Sequence, residues 1–107
     1  MTLNIQSTAE VEETFKILAD EWRKETRHLS SSQQIAMHPA YQRIIEMGPQ
    51  VVPLILRDLR DYGGSWYTAL KAITGVSLIP TDAQGDVRRM REVWLNWGRE
   101  YMLKNSI

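Results

Sequence analysis

The sequence predicts a compact single domain of the all-α class with about five helices, and three observations carry that expectation. Apolar residues recur at spacings of three and four almost throughout, the repeat of a helix with one buried stripe. Gly, Pro and Ser punctuate this pattern at helix-length intervals. A length of 107 residues buries roughly two-thirds of the unfolded chain's surface, enough for one core and too little for two.

Residues 1–6 carry no pattern and read as a flexible start. Ser7 and Glu10 then stand at capping-box spacing, hydroxyl and carboxylate each able to satisfy an amide of a first turn. Val11, Phe15, Leu18, Trp22 and Leu29 follow at i, i+4, i+7, i+11 and i+18, one stripe of a helix running to about residue 29. Glu12, Glu13, Lys16, Asp20, Lys24 and Arg27 fall mostly on its solvated faces. Residues 30–38 read as a connection. Three serines break the stripe there, and Ser31 with Gln34, or Ser30 with Gln33, offers a cap to a short turn.

Pro39 suits a first helical position, where its missing N–H would be unsatisfied in any case. Tyr41, Ile44, Ile45 and Met47 fill a short helix that Gly48 ends. Pro49 restarts a helix with Val51, Val52, Ile55, Leu56 and Leu59 inward and Arg57, Asp58, Arg60 and Asp61 outward. Pro53 costs it one hydrogen bond at most near the first turn, with a kink as the alternative. Gly63-Gly64 ends this helix, and Ser65 is expected to cap the next, where Trp66, Ala69, Leu70 and Ile73 share a face up to Gly75.

Residues 76–82 read as a second connection, with Val76 to Pro80 the one extended stretch and nothing obvious to pair with it. Thr81 with Gln84, or Asp86 alone, caps a last helix. There Val87, Met90, Trp94, Trp97 and Tyr101 recur at i, i+3, i+7, i+10 and i+14. Gly98 inside that helix costs about 1 kcal/mol relative to alanine, so another backbone is expected to pack closely against it.

Composition narrows the function classes. Thirteen Lys+Arg balance thirteen Asp+Glu, which argues against a strongly electrostatic nucleic-acid clamp or a polybasic membrane anchor. With 43% hydrophobic and 24% charged residues the chain resembles ordinary globular proteins and not disordered ones. No cysteine is present, so disulfides, thiolate zinc sites and cysteine nucleophiles are excluded. No run reaches the roughly 18 apolar residues a membrane helix needs, and the first residues have no leader-like pattern. Cytoplasmic localisation is the expectation, with no membrane partner. Gly63-Gly64 lacks the Gly-Lys-Ser/Thr of a phosphate loop, nucleophile elbows are missing, and no cofactor or metal is expected.

Two resemblances bear on the fold. MGPQVVPLILRDLRD (Met47–Asp61) followed by ALKAITG (Ala69–Gly75) resembles a HEAT-like helical hairpin over residues 39–75. That likeness implies a helical-hairpin core with a protein-binding surface, although only one such unit is present and a solenoid stacks about three. The wider pattern of HPAYQRIIEMG, VPLIL, W..AL.AITG and W..W is similar to a family of small bacterial all-helical proteins, a likeness that implies no activity.

Two motifs suggest chemistry. Glu25-x-x-His28, with Glu21 a turn earlier, has the spacing of di-iron bundle ligands. A full site needs a second such motif, yet Ile35 stands at the matching position before His38. An exposed charged face, with Arg27 and His28 meeting the helix dipole, explains the same residues. Arg23, four residues and His28 resemble the signature of HEPN-type ribonucleases, which are all-helical and typically dimeric. The resemblance implies that His28 handles the proton of an attacking 2′-hydroxyl and that Arg23 stabilises phosphorane charge. Lys24 departs from the small polar or acidic residue usual after that arginine.

The remaining signals concern binding. Four tryptophans need burial or a partner, and Trp22, Trp94 and Trp97 lie on core stripes. Trp66 and Tyr67 open a helix, where one ring can face inward and the other outward. Trp66, Tyr67, Trp97, Tyr101 and Met102 are the expected anchors for a protein partner. Arg88, Arg89, Arg91 and Arg99, with Arg57 and Arg60 available to join them, offer a nucleic-acid face, diluted by Asp86, Glu92 and Glu100. The stripe from Val87 to Tyr101 can pair with its own copy in a homodimer or pack within the chain. The leading expectation is a small protein-binding module, such as the regulatory or neutralising, antitoxin-like or defence-accessory, subunit of a two-component system. A HEPN-like ribonuclease and a nucleic-acid-binding accessory protein are the alternatives.

Overall fold

The computed structural model describes residues 8–29, 31–76 and 86–105. Among the described residues six α-helices follow in order: α1 (Thr8–Thr26), α2 (Ser32–Ala36), α3 (Pro39–Glu46), α4 (Val52–Tyr62), α5 (Tyr67–Thr74) and α6 (Val87–Asn105). A 3₁₀ turn, Gly48–Val51, joins α3 to α4. No strand occurs among the described residues, and the domain is all-α as the apolar spacing requires. The Ser7 cap, the flexible start at 1–6, the extended stretch beyond Val76 and the Thr81–Gln84 cap lie outside the described residues.

The expected stripe of α1 is buried at Val11, Phe15, Leu18 and Trp22. The helix stops at Thr26 rather than Leu29, because the chain tightens into a turn in which the Leu29 N–H bonds the Thr26 carbonyl at 2.9 Å. The Thr26 hydroxyl, also buried, donates back to the Trp22 carbonyl at 2.7 Å and so needs no solvent. The 30–38 connection is not wholly irregular. It holds α2, whose first turn is capped by the Ser31 hydroxyl accepting the Gln34 N–H at 3.4 Å.

Proline placement explains the middle of the chain. His38 caps α3 through Nδ1, which accepts the Ala40 N–H at 3.0 Å, and Pro39 takes the first helical position. Gly48 follows α3 at φ +79°, a conformation few side chains tolerate. Pro49 lies in the 3₁₀ turn and α4 itself opens at Val52, three residues later than Pro49 suggests. Pro53 therefore falls in the first turn of α4, where no intrahelical bond is lost and no kink is needed. Gly63 at φ +74° stops α4, and Gly75 at φ +71° stops α5.

Ser65 does not cap α5. The N-cap position is Trp66, which supplies no side-chain bond. The missing acceptor comes from α3: the Tyr41 hydroxyl accepts the Ala69 N–H at 2.9 Å and donates to the Ser65 carbonyl at 2.7 Å. Asp86 caps α6, the second of the two expected caps, its carboxylate accepting the Arg89 N–H at 3.2 Å.

Packing then follows the buried stripes. α1 lies on α3, α3 on α5, and α6 on α4. Although α4 and α5 are joined at Gly63-Gly64 as the HEAT-like likeness requires, each has its principal helical contact elsewhere. The centre is aromatic: Trp22 and Trp66 have ring centroids 4.5 Å apart, with Tyr41 5.6 Å from Trp66 and nearly parallel, and Phe15 also at 5.6 Å. Ile44, Val51, Ile55, Leu59 and Leu70 close around these rings, each aliphatic side chain contributing about 1.5–3 kcal/mol by burial.

Candidate functional site

The packing of α6 on α4 leaves a cleft between the two helices. On α4, Pro53, Leu56, Arg57 and Arg60 stand at i, i+3, i+4 and i+7, one helical face. On α6, Leu95, Gly98 and Arg99 stand at i, i+3 and i+4, again one face. These faces line an open cleft of about 450 Å³, within the ~300–1,000 Å³ range of ligand clefts.

At Gly98 the surface of α6 meets the end of a side chain of α4. A Cβ built there would lie 2.5 Å from Leu56 Cδ1. The close neighbour is thus a side chain of α4, not the backbone that the glycine suggests from sequence. Leu56, nearly buried, forms the apolar floor beside Leu95 and Pro53, and the arginines stand at the rim exposed to solvent.

The rim is electrostatically uneven. Arg60 pairs with Asp61, Nε to Oδ1 at 2.9 Å, and that hydrogen bond holds the Asp61 carboxyl below its usual range, with the Arg57 charge adding to the effect. Arg99 donates to the neutral Asn96 side chain. Neither Arg57 nor Arg99 forms an ion pair among the described residues. Two guanidiniums on opposite walls therefore keep carboxylate-binding capacity over an apolar floor.

Other expected residues are scattered. Trp66 is fully buried, so it is a core ring and not a surface anchor; its indole N–H donates to Asp58 at 2.9 Å. Tyr67 is half-buried, and burial pushes its phenol upward against the opposing charge of Arg91. Trp97 and Tyr101 are half-buried and stacked at 4.9 Å, and Trp94 meets Trp97 edge-on at 5.3 Å. The side chain of Met102 lies outside the described residues. Trp94 is buried against the core, so part of the Val87–Tyr101 stripe is taken up within the chain.

The basic face divides. Arg99 joins Arg57 and Arg60 at the cleft, whereas Arg88 faces Glu92 at 3.9 Å, two turns and more away along α6. Arg89 lies exposed in the first turn, and Arg91 reaches toward Gly63. Of these four arginines, Arg99 alone lines the cleft.

Arg23 and His28 are not brought together. The Arg23 guanidinium donates to Asp58 and, at 3.3 Å, to Asp20, and it lies 5.0 Å over the ring of Tyr62. His28 is exposed beyond the end of α1, and no described contact joins it to Arg23. Glu25 reaches a different histidine, its carboxylate accepting from His38 Nε2 at 2.6 Å. With Nδ1 occupied as the α3 cap, the network assigns the proton to Nε2. Among the described residues no group of three or more His, Asp or Glu is placed to hold a metal ion, and no described helix is long and apolar enough to cross a membrane.

Sequence reasoning missed the cleft as a site because its walls are about 40 residues apart, a separation only packing removes. One signal was present: a glycine inside an otherwise regular helix. Comparison of the chain with protein-family models, with curated proteins and with solved structures gives no match.

Proposed function

We propose that this chain is a small cytoplasmic helical module that works by binding another protein, as the regulatory or neutralising subunit of a two-component system. The observation that carries this reading is the stacked, half-buried Trp97–Tyr101 pair on α6. Two rings held by each other and by the core lose little rotamer freedom on association, and aromatic anchors of this kind dominate binding energy at protein interfaces. The cleft opens on the same helix, lined there by Leu95, Gly98 and Arg99.

The test is the elution of the endogenous protein in an extract of its own cells, followed by light scattering. The expected result is a complex of defined stoichiometry that Trp97→Ala and Tyr101→Ala release to the 12.4 kDa chain with helicity intact. Elution of the wild type at its own mass or as a homodimer overturns the reading. Loss of helicity in both variants reassigns the pair to the core.

A further inference from the structure

Resting on that protein-binding reading, we infer that the α4–α6 cleft receives an acidic amphipathic helix of the partner protein. An apolar side chain of the incoming helix docks over Leu56 and Leu95. Its carboxylates, one turn to either side, pair with Arg57 on one wall and Arg99 on the other. Three observations support this occupant.

The first is the floor. Because Gly98 has no side chain, Leu56 fills its place and the cleft bottom is apolar, which suits a leucine-sized group. The second is charge. Arg57, Arg60 and Arg99 line the cleft, and no acidic residue among those described does. Asp61 lies outside the lining, hydrogen-bonds Arg60 and feels the Arg57 charge, and neither Arg57 nor Arg99 has an ion pair among the described residues. The charge facing the cleft is therefore positive on both walls. Carboxylates match guanidinium geometry in pairs of parallel hydrogen bonds. The third is shape. Both walls are helical faces with residues at i, i+3 and i+4, forming a groove that an amphipathic helix fits with the same spacing.

The experiment uses the full chain and two synthetic helices of about twenty residues, identical in leucine spacing, one flanked by glutamates and one by lysines. A single-stranded DNA oligonucleotide is the third probe, and binding is read by fluorescence anisotropy. The glutamate peptide is expected to bind, and Arg57→Glu/Arg99→Glu is expected to weaken it by at least roughly tenfold. Both arginines are exposed, so the double variant is expected to unfold with the wild type. Equal binding of the lysine peptide, no binding of either peptide, indifference to the double variant, or preference for the oligonucleotide overturns the inference.

The same double variant, placed in the native cells, separates this inference from the reading beneath it. A stoichiometric partner retained by the variant overturns the cleft assignment and leaves the protein-binding reading standing. A wild type without any partner overturns that reading itself.

Discussion

The Tyr41 hydroxyl accepts the N–H of Ala69 at 2.9 Å and so supplies, from a neighbouring helix, the cap that α5 lacks in its own sequence. The bond runs from α3 to the third residue of α5, and the same hydroxyl donates to the Ser65 carbonyl. One phenol oxygen thus fixes both the start of α5 and the loop before it. Burial pushes the Tyr41 phenol up to about 12 from 10.0, with the Ala69 hydrogen bond opposing the shift.

Replacing Tyr41 with Phe is expected to destabilise the domain by about 1–3 kcal/mol, since a buried amide and a carbonyl lose their partner together. The deficit depends on pH in a defined direction. Below pH 10 the phenol is neutral in both folded and unfolded chains. Between pH 10 and about 12 it ionises in the unfolded chain first, the unfolded state binds fewer protons, and stability falls as pH rises. That loss totals about 2–3 kcal/mol and is absent from the variant. Urea unfolding of both proteins across this range checks it: the gap between them is expected to narrow toward pH 12.

Two buried tryptophans are expected to respond differently to the same change. Trp66 Nε1 donates to Asp58, whereas Trp94 Nε1 is buried without an acceptor among the described residues. Trp66→Phe therefore loses a hydrogen bond to a carboxylate, and Trp94→Phe removes a donor that forms none. The first variant is expected to be less stable than the second by about 1–2 kcal/mol in denaturant unfolding.

Asp58 holds two partners, and their exposure ranks them. Its side chain is 11% exposed and that of Arg23 is 35% exposed. Asp58→Ala leaves the buried Trp66 N–H without an acceptor and is expected to cost about 2–3 kcal/mol. Arg23→Ala leaves that bond intact, and solvent screening limits its cost to about 1 kcal/mol. Equal losses for the two variants in thermal or urea unfolding contradict this ranking.

At Gly98 the helix-propensity gain and the packing cost oppose each other. Alanine gains about 1 kcal/mol as a better helix former, but its Cβ would meet Leu56 Cδ1 at 2.5 Å. Forcing a nearly buried leucine aside costs about 1–3 kcal/mol, so Gly98→Ala is expected to be destabilising on balance. In a Leu56→Ala background the obstruction is gone, and the same substitution is expected to stabilise. A double-mutant cycle in urea measures the change of sign.

The parts of the fold that depend on local spacing were legible in the chain. The stripe from Val11 to Trp22, the proline start at Pro39, the glycine stops and the Asp86 cap all follow from residues within a turn or two of one another. The rest required knowledge of distant neighbours. Nothing near Ser65 reveals that Tyr41 provides the cap for α5, and nothing in Trp66-Tyr67 says which ring turns inward. Asp58 satisfies the buried Trp66 indole by accepting its N–H, a contact from α4 to the residue that precedes α5. The spacing of Arg23 and His28 suggested chemistry, but the same Asp58 gives Arg23 a structural partner. For the cleft, Arg57 and Arg99 were visible as charges, and their shared apolar floor was not, because it forms only when Gly98 meets Leu56.

Native mass spectrometry of the protein isolated at natural abundance from its own cells tests the central claim most directly. The account predicts a second polypeptide at fixed stoichiometry, lost when Trp97 is replaced by alanine in a chain that still folds. A bare monomer or a homodimer with no further polypeptide contradicts it.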